Sequence, residues 1–145
     1  MKRIFAILLA LALCGSLAAC GKTKGVNITL GESERFTQKE LQAAANYVLA
    51  QFRKGYDGCT LKRVYYDEAK SIKLAAGYID DQPQSGIYGK DPDDIIVLFS
   101  DFRTGATGAV LGGGFEQNQD YDGWTFYLIR DGKGQPWKEY THGYA

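Results

Sequence analysis

The chain has 145 residues, is 45% hydrophobic and 13% aromatic, and carries 17 basic residues against 17 acidic ones with a single histidine. That length suits one domain, and balanced charge with no basic patch able to neutralise a row of phosphates argues against nucleic acid as a partner. Of the three Cys only Cys59 lies beyond the N-terminal apolar segment and its edge, and with the single His it is too few for a zinc site built from several such ligands.

Met1, Lys2 and Arg3 form a short positive start, and the apolar run "IFAILLALAL" (residues 4–13) is too short to span a bilayer, which needs about 20 residues. Residues 1–19 therefore read as a signal peptide. Leu17, Ala18 and Ala19 then place a branched apolar residue and two small ones ahead of Cys20, in place of an ordinary A-x-A site. This pattern resembles the lipobox of bacterial lipoproteins, and the resemblance implies a diacylglyceryl group on the Cys20 thiol and cleavage between Ala19 and Cys20. Such an anchor would hold the protein on a membrane, facing away from the cytoplasm, since two or three acyl chains suffice where one is marginal. Of the 145 residues, the 19 of the leader would leave, and Lys2 and Arg3 with them, so that 15 basic residues face 17 acidic ones, a formal charge of −2. With Cys14 in the leader and Cys20 lipidated, Cys59 is the one thiol left in the domain and no internal disulfide can form. Standing at the entrance to a strand pattern, it reads as a small buried hydrophobe.

Residues 21–35, "GKTKGVNITLGESER", are polar and contain glycine, as expected of a flexible tether reaching ~20 Å, with a short alternating patch at 26–30 that would suit an edge strand. The domain proper is assigned to residues 36–145, after a lipidated cysteine and tether at 20–35. "FTQKELQAAANYVLAQFRKG" opens it with a capping box at Thr37 and Glu40 and a hydrophobic staple at Phe36 and Leu41. Leu41, Ala44, Ala45, Val48, Leu49 and Phe52 recur at helical spacing, and Gly55 follows the basic pair Arg53 and Lys54 as a stop. The spacing predicts a helix over about 38–54.

Residues 59–67 are rich in Thr, Leu, Val and Tyr and read as a strand. Ile72, Leu74, Ala75 and Tyr78 allow a short helix in "DEAKSIKLAAGY", and "DDQPQSGIYGKDPDD" reads as a surface loop. "DIIVLFSDF" is apolar on both faces, as a central strand would be. The glycine-rich stretch 103–123 is long for a structureless loop, and therefore either functional or partly stranded near 109–111. "WTFYLIRD", "GKGQ" and "PWKEYTH" form a β-hairpin with Trp124, Phe126 and Leu128 on one face, Tyr127 and Ile129 on the other, and Pro136 suited to an edge strand.

These elements predict an α+β fold, with one long N-terminal helix packed on a curved, mostly antiparallel sheet. The order of elements and the closing stretch "WTFYLIRDGKGQPWKEYTHGY" resemble the last third of cystatin-like and NTF2-like domains. With the lipobox, "GCTLKRVYYDE" and "DIIVLFSDF" are similar to uncharacterised small lipoproteins of bacteria. The resemblance is structural, brings no catalytic residue and no cofactor with it, and function from such a fold is analogy.

Chemistry-bearing patterns are sparse. Cys59 and His142 form a conceivable thiol and base, with no third residue marked to orient them. Asn118, Asp120, Asp122 and Gly123 in "NQDYDG" match the first half of a calcium loop, but its twelfth position falls on Ile129, so a self-capping turn fits better and no metal site is assigned. The glycine run 105–114 lacks the spacing of a phosphate loop. Asp67–Glu68 and Asp93–Asp94 read as solvated turn residues. Eight aromatics fall within residues 115–145, enough that part of them must be core while Tyr121, Trp137 and Tyr144 line a groove for a small apolar, peptide or sugar ligand.

The leading reading is a membrane-tethered module that binds a small ligand or an envelope protein through the open face of its sheet and the 103–123 loop. A second is a small enzyme in which Asp101, Arg103, Tyr127 and His142 converge as an acid–base set. A third is a structural role at the envelope, which predicts a flat apolar patch and no pocket.

Overall fold

The computed structural model describes residues 21–106 and 114–145. The expected leader over residues 1–19, Cys20 and the expected strand near 109–111 lie outside the described residues. The chain is α+β: five strands, β1 (Asn27–Thr29), β2 (Thr60–Tyr65), β3 (Ile95–Arg103), β4 (Asp120–Ile129) and β5 (Lys138–Gly143), stand side by side in sequence order. β1 runs parallel to β2 and the other three pairings are antiparallel, so the sheet is mixed.

Two helices flank it, α1 (Gln38–Gly55) and α2 (Glu68–Ile79). At the start of α1 the Glu40 amide donates to the Thr37 hydroxyl while the Thr37 amide donates to the Glu40 carboxylate (2.9 Å), the reciprocal capping its sequence encodes. Gly55 is the last helical residue rather than the stop; the cap is Tyr56, whose amide donates to the Phe52 carbonyl. Leu41, Ala44, Ala45, Val48 and Phe52 are buried against Leu61, Val64, Ile96, Leu98, Phe102, Phe126 and Leu128 of one sheet face.

The opposite face is not open. Ala75 and Ile79 of α2, with Ile87 from the following loop, cover Ile95, Val97, Phe99 and Tyr127. The amide of Val97, beyond the last β2 partner position at Tyr65 and Phe99, donates to the buried Ser71 hydroxyl of α2 (2.9 Å). Helix and sheet are thereby joined by a hydrogen bond as well as by apolar area.

The stretch expected to be a tether is part of the fold. Residues 27–29 pair with Arg63–Tyr65, Leu30 is buried, and Lys22 bridges to Thr60. Alternate residues Val26, Ile28 and Leu30 pack on the core, which gives this short polar run a reason to dock.

The carboxylates read as solvated turn residues are also engaged. Asp67 caps α2, Glu68 accepts from the Ser33 hydroxyl and the Glu34 amide, Asp93 pairs with Arg35, and Asp94 pairs with Arg130. Both central pairings contain a bulge that decides which face each side chain meets. Trp124 partners Ser100 and Tyr121 partners Phe102, so β4 has one extra residue there, accommodated by Gly123 at φ +72°, a conformation that favours glycine. Arg63 partners Asp101 and Leu61 partners Phe102, so Lys62 is the extra residue of β2.

Candidate functional site

Phe102, Tyr121, Trp124, Phe126 and His142 follow the alternation of their strands onto the α1 face, near the C-terminal end of that helix. Tyr56, the α1 cap, brings its ring to within 6.1 Å of the His142 ring and 5.9 Å of Phe115. A cleft of about 420 Å³ opens here, walled by Gln51, Tyr56, Phe115, Trp124, Glu139 and His142.

The rings that line the cleft, Tyr56, Phe115 and Trp124, are backed by further aromatics in fixed geometry. Tyr121 stacks on Phe102 (centroids 5.1 Å apart, planes 6° apart), and its hydroxyl accepts from the Glu116 amide (2.9 Å). Tyr144 stacks on Tyr121 at 6.1 Å, stands edge-on to Trp124 at 5.3 Å, and is 60% exposed; it lines a neighbouring hollow of about 300 Å³ with Leu74, Tyr78 and Tyr127. The Trp124 indole N–H donates to the Tyr56 hydroxyl (3.0 Å), which satisfies the polar end of a ring otherwise packed among aromatics.

Burial sets the protonation of the hydroxyl and the thiol nearest the cleft. Burial pushes the Tyr56 hydroxyl well above the usual phenol range; the Trp124 hydrogen bond works against this, and the Glu139 charge reinforces it. Tyr56 is thus a neutral hydrogen-bonding group. Burial, then the nearby Asp57 charge, likewise pushes the Cys59 thiol up, so it is a poor source of thiolate. His142 is half-exposed, with Nδ1 2.7 Å from the Glu139 carboxylate. That contact orients the imidazole at the mouth of the cleft, with one nitrogen engaged.

The six residues singled out in the sequence divide among three places. Tyr121, His142 and Tyr144 meet around Trp124, as described. Asp101 and Arg103 point to the α2 face, beyond the reach of α2 itself, where Asp101 pairs with Arg63 (2.8 Å) and accepts from the Gly123 amide (2.9 Å). Arg103 and Lys62 share Asp120 (2.9 and 2.5 Å), whose carboxyl is held below its usual range first by the Lys62 hydrogen bond. Asp120 is thus tied into a surface charge ladder, and among the described residues no group of three or more His, Cys, Asp or Glu is placed to hold a metal.

Tyr127 lies on the α2 face too, between Tyr78 and Phe99, while His142 is on the α1 face. The postulated set Asp101, Arg103, Tyr127 and His142 is split by the sheet and forms no acid–base pair. Trp137 stands at the far end of the molecule, buried beside Phe36, with Arg130 4.7 Å from its ring and its indole N–H donating to the Glu40 carbonyl (3.3 Å). It lines a wider groove of about 640 Å³ with Lys39, Ala43, Tyr47 and Pro136. That groove's deepest charge, Arg130, is already satisfied by Glu40 (2.6 Å), Asp94 (3.1 Å) and the Asp93 carbonyl (2.8 Å).

Sequence reading missed Tyr56 and Glu139 as cleft residues and did not single out Phe115 or Trp124 from the eight aromatics of residues 115–145. The turn "GYDG" gives no periodic signal for Tyr56, and only the position of the α1 cap beside β4 brings it in. An indole on a core-facing strand position, needing a hydrogen-bond acceptor, was the available clue for Trp124. No protein family, curated protein or solved structure matches the chain.

Proposed function

We propose that the protein is a lipid-anchored, extracytoplasmic binding module whose aromatic cleft takes a small ligand with a flat apolar face and a hydrogen-bonding edge, a sugar or a short peptide. The observation that carries this reading is the meeting of Tyr56, Phe115, Trp124 and His142 in one cleft, with Tyr121 and Tyr144 packed against Trp124 beside it. Rings supply contact area at little entropic cost, and His142 with Gln51 supplies polar contacts at the mouth. The anchor rests on the lipobox at residues 17–20. Kinship with cystatin-like and NTF2-like domains is supported by α1 lying against the antiparallel strands; the parallel β1 and the helix on the second face are departures from that plan.

The test is thermal unfolding of the detergent-solubilised protein against panels of sugars and peptides. A ligand at 100 times its Kd stabilises by about 2.7 kcal/mol, a shift of several degrees. The expected result is a shift that is lost in His142→Ala and weakened in Gln51→Ala. A shift that survives both substitutions but disappears when Lys39 and Tyr47 of the far groove are changed would move the site there and overturn this assignment.

A further inference from the structure

We propose that the domain lies flush on an anionic bilayer by the C-terminal end of α1, so that the aromatic cleft opens at the membrane surface. This rests on the lipid-anchor reading and adds an orientation to it. The residue after the lipid-bearing cysteine is already part of the fold: the Gly21 amide donates to the Arg53 carbonyl (3.2 Å) and the Lys22 amide to the Cys59 carbonyl (2.9 Å), while the Lys22 carbonyl accepts from the Leu61 amide (2.9 Å). Gly21 is buried, and a Cβ there would collide with the Phe52 carbonyl oxygen. Consecutive Cα atoms are about 3.8 Å apart, so acyl chains on Cys20 would start within one residue of the domain surface, with no spacer to let it tumble.

The surface around this attachment point has the charge to match. Lys22, Lys24, Arg53 and Lys54 are exposed there, with Asp57 as the acid beside them in the α1–β2 turn, although the mature chain as a whole would carry a formal excess of acid. Each basic residue near an anionic leaflet strengthens attraction by about fivefold. The cleft is adjacent: Tyr56 follows Arg53 by less than one helical turn, and Gln51 belongs to the same cleft wall. Trp137 packs beside Glu40 near the other end of α1, an 18-residue helix about 27 Å long.

The chain's two tryptophans, Trp124 and Trp137, thus report from opposite ends. The experiment uses the lipidated full chain in vesicles of phosphatidylcholine and phosphatidylglycerol containing headgroup-nitroxide lipid, with flotation to establish anchoring. In Trp137→Phe, emission from Trp124 should be strongly quenched; in Trp124→Phe, emission from Trp137 should be quenched several-fold less. A Gly/Ser spacer of ~15 residues between Cys20 and Gly21, reaching ~20 Å, should relieve the Trp124 quenching, as should the combined substitution K22Q/K24Q/K54Q. Co-flotation with equal quenching at both ends, or quenching indifferent to the spacer, overturns the orientation and leaves the anchor standing. Failure to co-float overturns the anchor and the orientation together. Should Trp124→Phe fail to fold, Trp137→Phe with and without the spacer decides the question alone.

Discussion

Arg130 is 2% exposed and holds Glu40 of α1 and Asp94 of the 3₁₀ turn before β3 in one network, with its guanidinium also 4.7 Å from the Trp137 ring. Removing one member of a buried pair costs more than the pair contributes, because the partner is left desolvated. Arg130→Met should therefore lower stability by about 3 to 5 kcal/mol, read as a drop in denaturant midpoint at constant slope. Burial pushes the Glu40 carboxyl up, but hydrogen bonds from the Thr37 backbone, from Arg130 and from the Thr37 hydroxyl outweigh it and lower the value to about 2. A folded value below the ordinary one means that this stabilisation is present above about pH 4.5 and is lost as pH falls towards 2. Glu40→Gln should flatten the acid limb of the melting temperature between those limits; an unchanged slope would show that other carboxylates dominate it. None of this network could be read from "YLIRDGKG", where Arg130 looks like the polar end of a strand, because its partners come from elements 36 and 90 residues away.

The elements were legible in proportion to how local their causes are. The capping box and apolar stripe of α1 lie within one run of sequence, and the helix forms there; Thr37→Ala should cost about 1 kcal/mol, measurable as a fall in thermal midpoint of a few degrees. Helix α2 has a good cap in Asp67 but only Ser71, Ala75 and Ile79 buried, a pattern of small residues too weak to choose between a helix and a loop without the sheet beneath it. That single ambiguity changed the architecture, since a sheet with one covered face offers a binding surface and this sheet does not. In β4 and β5, period-two alternation placed Trp124, Phe126 and Leu128 correctly. Trp137 fell on the wrong element because β5 begins after it, at Lys138. The split of the aromatic candidates between two ends of the molecule follows from β5 itself, since Trp137 precedes its first residue and Tyr144 follows its last, roughly 20 Å away at the rise of a strand.

For the molecule as a whole, the segment before α1 decides whether the sheet has a protected edge. β1 covers the outer side of β2 over Arg63–Tyr65, and Val26, Ile28 and Leu30 add apolar area to the core beneath it. Deleting residues 21–31 would strip that area and expose unpaired amides and carbonyls along β2, the arrangement that templates strand addition between chains. Burial of roughly two aliphatic side chains is at stake, on the order of 3 kcal/mol and about 10 °C in melting temperature. The truncated protein should therefore melt well below the intact one and elute as larger species at rising concentration, while β5, with Pro136 and Lys138 at its start, remains the blunted edge in both. A truncated chain that stayed monomeric with an unchanged melting temperature would mean that β1 is an adornment of the sheet. The expected outcome makes the segment before α1 a structural strand, on which the integrity of the sheet depends.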